Sequence, residues 1–415
     1  MSTETPAGAA RTARALPPVR AAVLIAVIFI NILGFGIIVP LLPLYAQSLD
    51  AAPWQISLIF SAYAMGAFFG EPLWGRMSDR FGRKPLLLTT VSGNCLCYLA
   101  LAYAPSVEAA FLIRFIGGMA SGNFAVIQGY IADVTPPDRR ARVMSWMGAA
   151  FSTGLILGPA VGGLFAQEGS GPEGFRVPML IASALSATCV VAIALFIGES
   201  RVHDLSISQA PSRWGAIGEV ATNPVIKRVV ALTFLIGAAF MGVEFVLSLW
   251  GHARFDWGPR EIGLIFSAVG VTSAFTQFLV AAPLSERFGE ARVLAGGMTV
   301  TAVGAALMPL ADSLPFVSAL MCLIAFGQSA AFPNVATLIS RAAPPDQLGQ
   351  ILGLNNSAMA LSRLVGPFCA GLAFTHIGSG APFILAALLV MPAIGLAIGA
   401  GRRAGSAAPV AVAEA

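Results

Sequence analysis

Long apolar runs recur along this chain from residue 21 to residue 400, and the polar stretches between them are short. Each run is about 20 residues long, the length that an α-helix needs to cross the hydrocarbon core of a bilayer. Only 11% of the residues are charged, whereas a soluble domain carries about 25%. The runs also lack the period-2 alternation of membrane β-strands. The sequence therefore predicts an all-α, polytopic membrane protein.

The apolar runs are predicted to form twelve spanning helices in two groups of six. The longest polar stretch between runs divides the groups, and the first run is long enough to be a membrane helix rather than a cleavable signal. The predicted spans are 21–46, 55–75, 85–104, 107–132, 141–166, 177–198, 226–250, 260–282, 292–311, 315–340, 348–374 and 381–400. The predicted domains are a tail at 1–20, a six-helix bundle at 21–198, a linker at 199–224, a second bundle at 225–401 and a tail at 402–415.

Basic residues predict the orientation, because they concentrate on the cytoplasmic side of membrane proteins. If the N-terminus is cytoplasmic, nearly all basic residues between the spans fall on the cytoplasmic side. Only Arg176, Arg254 and Arg260 then face outward. Both tails and the linker are therefore expected in the cytoplasm.

The two halves of the chain share a sequence pattern. The ten residues that begin at Pro53 are repeated in large part from Pro259, and the charged stretch 75–87 has a weaker copy at 282–294. Gly158-Pro159 likewise recurs as Gly366-Pro367. A nearly constant offset of about half the length, with six spans in each half, predicts two parallel, duplicated bundles around a central cavity.

Several motifs resemble those of the major facilitator superfamily. Residues 75–87 resemble its loop motif between helices 2 and 3, and Arg114 with the glycines at 117–118 resembles the Arg-x-x-Gly motif of its exporters. Residues 154–163 in span 5 resemble the antiporter motif of its drug exporters, and 31–40 are similar to the first helix of bacterial tetracycline exporters. The resemblance implies a twelve-span drug:proton antiporter of a bacterial inner membrane. Those tetracycline exporters carry Asp where this chain has Asn31, so proton coupling lies elsewhere or the protein is not a tetracycline exporter.

The resemblance gives the charged stretch a role as a conformational latch. Asp79 would dock near the N-terminus of span 11, where the helix dipole favours negative charge, and Arg83 would pair with Asp133. The alternative is a stretch that only anchors the cytoplasmic side by its positive charge. The latch residues are Gly75, Asp79, Arg80, Gly82, Arg83, Lys84 and Asp133.

The glycines of span 5 predict close helix packing. Gly154, Gly158 and Gly162 recur every four residues and share one helix face, while Pro159 permits a bend. The resemblance places this helix against span 8 at the interface between the halves, and it adds Gly163 to the motif. Packing without a role in transport is the alternative.

Four ionisable residues lie inside predicted spans, where a charge is costly and each is expected to face the cavity or a partner. Glu244 has apolar neighbours and is the leading candidate for the proton carrier, unless it forms a static ion pair with Arg363. Arg363 could instead bind an anionic substrate group. The resemblance implies a coupling role for Arg114, which could instead hydrogen-bond carbonyl groups, and Glu71 could be a plain interface residue.

Polar and aromatic residues in the spans predict the lining of the cavity. Exporters of bulky amphipathic compounds have apolar, aromatic pockets with few polar groups. For any one phenylalanine, packing against lipid or the core is the alternative. The candidates are Asn31, Phe35, Asn123, Gln128, Phe151, Phe240, Asn355 and Asn356.

These patterns predict a proton-driven exporter of drugs or other hydrophobic compounds. The alternative within the superfamily is an importer of a sugar or organic acid, which would favour more polar groups in the central spans. The sequence lacks a nucleophile–base set for an enzyme, a metal site and a nucleotide-binding loop, so we expect no cofactor and a proton gradient as the energy source. The expected partners are a small-molecule substrate, protons and lipid, with no nucleic acid, and the chain is expected to be a monomer.

Overall fold

The computed structural model describes residues 18–135, 137–167, 169–199, 224–342 and 348–404; within these ranges some side chains, including those of Asp79, Asn123 and Asp133, are not described. Regular structure in the described ranges is entirely helical, which confirms the predicted fold class. The helices are α1 (Pro18–Ile38), α2 (Leu42–Ser48), α3 (Pro53–Phe81), α4 (Arg83–Leu101), α5 (Val107–Met119), α6 (Asn123–Val134), α7 (Pro137–Phe165), α8 (Arg176–Phe196), α9 (Pro224–Phe255), α10 (Pro259–Phe275), α11 (Ala281–Phe288), α12 (Glu290–Leu307), α13 (Leu314–Ala342), α14 (Leu348–His376) and α15 (Ala381–Ala404).

Helices occupy all twelve predicted segments, and three of these segments are broken. Helices α1 and α2 form one segment bent by 44°, α5 and α6 form another, and a π-helical turn at Thr276–Val280 joins α10 to α11. In the described part of the chain, eight segments are long and apolar enough to cross a membrane, and the α1–α2 pair is a ninth. The protein is thus a multi-pass membrane protein, and spanning by α4, by α5–α6 and by α15 stays a prediction.

The two halves repeat the same packing scheme. In the first half α1 packs on α7 and α8, α3 on α5, and α4 on α8. In the second half the corresponding contacts are α9 on α14 and α15, α10 on α13, and α12 on α15. The duplication predicted from the sequence is therefore also a structural duplication.

The charged stretch 75–87 is mostly helical, and its description as a loop was wrong. Helix α3 continues to Phe81 and α4 begins at Arg83, so Gly82 alone connects them, with a φ of +96°. Gly289 connects α11 to α12 in the same way, with a φ of +82°. Glycine reaches this left-handed region without the steric penalty that a Cβ would add. We call the end of the molecule at Gly82 and Gly289 the basic end, and the end at the turns 49–52 and 256–258 the opposite end.

Candidate functional site

The two halves touch through α3 with α14 and through α7 with α10. Near the opposite end the Ser61 hydroxyl donates a hydrogen bond to the Leu364 carbonyl at 3.0 Å. The rings of Phe60 and Phe245 meet edge to face with their centroids 5.4 Å apart. These contacts join the first half to the second and close the space between them at this end.

Helices α7 and α10 make a second closing contact through two glycines. A Cβ on Gly163 would lie 2.6 Å from the Pro259 carbonyl oxygen and 3.2 Å from the Cα of Gly263. A Cβ on Gly263 would lie 2.6 Å from the Pro159 carbonyl oxygen. The two backbones are therefore in direct contact, which only glycine permits at both positions.

Toward the basic end the facing surfaces of the halves are exposed. Ser57 of α3 contacts Gly371 of α14. Phe68 lies about three helical turns beyond Ser57 on the same face of α3, yet it is 40% exposed. Gly353 lies about five turns from Gly371 on the same face of α14, and a Cβ there would meet nothing within 4 Å. The halves therefore diverge between the closing contacts and the basic end, and the cavity between them opens at the basic end.

Arg363 lies at the apex of this cavity. It directly precedes Leu364, whose carbonyl forms the closing hydrogen bond, and its side chain is exposed. Arg363 interacts electrostatically with Glu71 on α3 and Glu244 on α9. Among the described residues, however, no carboxylate lies within 4.0 Å of its guanidinium group. The static Glu244–Arg363 ion pair considered from the sequence is thus absent from this structure.

Arg114 is buried beside the cavity, within the first half. Its guanidinium carbon lies 4.6 Å from the centroid of the Tyr63 ring, and the Phe35 ring lies 5.6 Å from the same ring. In the described part of the chain its Nε atom has no hydrogen-bond partner. Tyr63 thus contacts both the buried Arg114 cation and the Phe35 ring, a role that the sequence analysis missed. The sequence did mark Tyr63 as unusual. The internal repeat matches in large part through Ala62, but at the next position the first half has Tyr63 and the second half has Val269.

The glycines of span 5 contact a different helix from the one expected. Helix α7 does pack on α10, as the resemblance implied. Yet a Cβ on Gly154 would meet the Phe29 carbonyl oxygen of α1, and one on Gly158 would meet Gly36 at 2.7 Å. Gly162 faces α1 as well, so among the motif glycines only Gly163 faces α10. The repeating glycines therefore fix span 5 to span 1 inside the first half.

The charged stretch binds an acid that the sequence analysis overlooked. The Glu199 carboxylate, just beyond α8, accepts hydrogen bonds from the backbone N–H groups of Arg83 at 2.8 Å and Lys84 at 3.1 Å. The positive end of the α4 dipole stabilises a carboxylate at this place. The Arg83 guanidinium also donates to the Ser78 hydroxyl at 2.6 Å. The side chains of Asp79 and Asp133 lie outside those that the structure describes, so their predicted latch contacts stay predictions.

The residues predicted to line the cavity divide into several groups. Asn355 differs from the prediction, since it is buried and its Oδ1 atom accepts a hydrogen bond from Thr233 at 2.6 Å inside the second half. Asn31 is half-buried, and its Nδ2 atom has no hydrogen-bond partner among the described residues. Phe35 and Phe240 are half-buried, Gln128, Phe151 and Asn356 are exposed, and the Asn123 side chain is not described.

Two pseudo-symmetric helical bundles with an end-open cavity and ionisable groups at its apex define a membrane transporter. The sequence model of the Major Facilitator Superfamily matches residues 24–259 and 252–411, and the chain belongs to that family. It is 29% identical over 359 residues to the tetracycline resistance protein, class C, of Escherichia coli, covering 83% of this chain and 87% of that protein. It is 25% identical over 379 residues to multidrug resistance protein 2 of Bacillus subtilis, covering 90% and 93%.

A solved structure agrees with the fold. It is a bacterial homologue of the human lysosomal transporter Spinster in an inward-facing, unoccupied conformation. The two folds superpose with a TM-score of 0.77 at 14% identity, over 94% of this chain and 98% of that one. At this identity the match supports the fold alone.

Proposed function

We propose that this protein is a proton-coupled antiporter that exports drugs or other hydrophobic small molecules by alternating access. The observation that carries the proposal is the cavity between the halves, which is closed at one end and holds Arg363 and Glu244 near its apex. The names of the relatives, a tetracycline resistance protein and a multidrug resistance protein, favour drugs as substrates.

In the proposed orientation both termini lie in the cytoplasm of a bacterial cell and the spans cross its inner membrane. The basic end then faces the cytoplasm, and the structure is the state that receives substrate from inside. Export requires the opposite end to open, which breaks the Ser61–Leu364 hydrogen bond and parts Gly163 from Gly263. The basic end closes at the same time, and the charged stretch holds it shut.

Glu244 is the proposed proton carrier. It lies on α9 beside the buried residues Val243, Phe245 and Val246, yet it is itself only half-buried. Water in the cavity can therefore reach its carboxyl group, while the apolar surroundings make the charged form costly. Proton binding and release at this group, balanced by Arg363 nearby, would couple the proton gradient to the exchange of states. Arg114 and Glu71 are proposed to support the coupling.

The proposal is tested by expressing the chain in a bacterium that lacks its own drug pumps. Growth is profiled across a drug panel, with and without a protonophore that collapses the proton gradient. Protection that disappears with the protonophore is the expected result. The alternative function, import of a sugar or organic acid, predicts no protection but proton-dependent uptake of a nutrient.

A further inference from the structure

We propose that Arg363 is an anion-binding residue at the apex of the cavity, and that the substrate carries a carboxylate on an aromatic or apolar body. This inference rests on the proposed function and narrows its substrate class. It starts from an exposed cation near the middle of the 29-residue helix α14. Such a charge within a span is costly unless it reaches water or a partner.

The direction in which Arg363 points follows from its neighbours on α14. Ser362 and Gly366 contact Gly237 and Ala238 of α9, and Gly371 contacts Ser57 of α3. Successive residues of a helix are about 100° apart, so position 363 lies on the surface between these two faces. That surface is the one directed between α9 and α3, toward the cavity and away from lipid.

The two acids that interact with Arg363 lie on either side of it along the helix axes, one toward each end of the molecule. Gly237 is level with Ser362, so Glu244 lies about two turns from Arg363 toward the opposite end. Ser61 is level with Leu364, so Glu71 lies about three turns away toward the basic end. These separations explain why, within the described residues, no ion pair forms at 4.0 Å or less. The guanidinium group therefore retains hydrogen-bond donors for an anion from the cavity.

The surroundings of Arg363 favour an aromatic body for the substrate. Tyr63 lies on α3 at the same level, two residues from Ser61, with the Phe35 ring beside it. The Phe60–Phe245 pair closes the cavity just beyond. An aromatic carboxylate can place its oxygens on the planar fork of Arg363 in a bidentate pair. Its ring can then pack against Tyr63.

The experiment measures binding of 2-naphthoate to the purified full-length protein, with 2-naphthamide as an uncharged probe of the same shape. Wild-type protein is expected to bind the carboxylate at least about tenfold more tightly, since hydrogen bonds between charged groups are the stronger ones. Arg363→Gln is expected to remove this preference without changing the affinity for the amide. Arg363→Lys is expected to keep part of it. Arg254→Gln is the control, because Arg254 lies at the opposite end against Trp250 and Phe255.

Equal affinity of the wild-type protein for the two probes would overturn the proposal, and this measurement does not depend on how the variants fold. An unchanged preference in a folded Arg363→Gln variant would also overturn it. The proposed function fails separately. Protonophore-sensitive efflux of neutral drugs without any carboxylate preference refutes only the anion site. A preference that depends on Arg363, in a protein that protects cells against nothing, refutes only the export of drugs.

Discussion

The contact between Gly163 and Gly263 offers a sharp test of the closed end. In Gly263→Ala, the new methyl group would lie 2.6 Å from the Pro159 carbonyl oxygen and 3.1 Å from the Cα of Gly163. A carbon and a carbonyl oxygen normally stay about 3.3 Å or more apart. Both neighbouring atoms belong to backbone and cannot rotate away, so the two halves must part by about 0.7 Å.

The cost of this clash falls on one conformational state. Overpacking of a tight contact typically costs about 1–3 kcal/mol. In the proposed cycle, helices α7 and α10 separate at this point when the opposite end opens, so only the state described here is destabilised. We therefore expect the equilibrium to shift toward the state open at the opposite end by roughly 5- to 150-fold.

The shift is measured by electron spin resonance distances between labels at Phe68 and Asn356, in a protein whose native cysteines are replaced. Both residues are exposed, and Asn356 lies two turns from Arg363 on the same face of α14, so the distance between labels is expected to shorten when the basic end closes. Gly263→Ala is expected to enrich the short distance. Gly148→Ala on α7 is the matched control, because a Cβ there meets nothing within 4 Å.

An unchanged distance distribution in Gly263→Ala would refute the reasoning. Gly118→Ala gives a further comparison, because its Cβ would meet the Tyr63 carbonyl oxygen inside the first half. That clash is present in both states. Gly118→Ala is therefore expected to lower the unfolding temperature without changing the proportion of the two states.

The other predictions concern substitutions at three residues. Glu199→Gln removes the charge at the N-terminus of α4 and is expected to reduce stability by about 0.3–1 kcal/mol, seen by thermal unfolding in detergent. A difference that did not shrink at high salt would contradict this electrostatic origin. Gly158→Leu places a side chain against the Gly36 backbone, so the protein is expected to reach the membrane and lose transport; normal transport would remove the glycine motif from the mechanism. Glu244→Gln is expected to abolish substrate-driven proton movement across proteoliposomes while exchange of labelled for unlabelled substrate persists, and unchanged proton movement would exclude Glu244 as the carrier.

Much of the architecture could be predicted because it depends on local sequence. Apolar runs of spanning length determine where helices lie, and the repeat between the halves predicted that they pack alike. The intramembrane charges were recognisable for the same reason, since each is unusual where it occurs. The helical nature of residues 75–87 was missed because their charges resemble those of a loop, although Gly82 alone makes the turn.

The composition of the site was decided by tertiary contacts. Asn355 looked like a cavity residue, but packing within the second half gives it Thr233 as a partner. The repeating glycines of span 5 share a face, yet periodicity does not say which helix meets that face. Glu199 lies more than a hundred residues from Arg83 and becomes its partner only when α8 ends beside α4.

The sequence by itself determined that this chain is a duplicated helical membrane protein with a few costly charges inside its spans. Hydrophobicity and periodicity are properties of each segment, so they could be read without knowing the neighbours. Only the tertiary structure decided which end is closed and that Arg363 reaches the cavity without a carboxylate in direct contact among the described residues. Those facts depend on distances between helices from different halves, which local sequence does not encode.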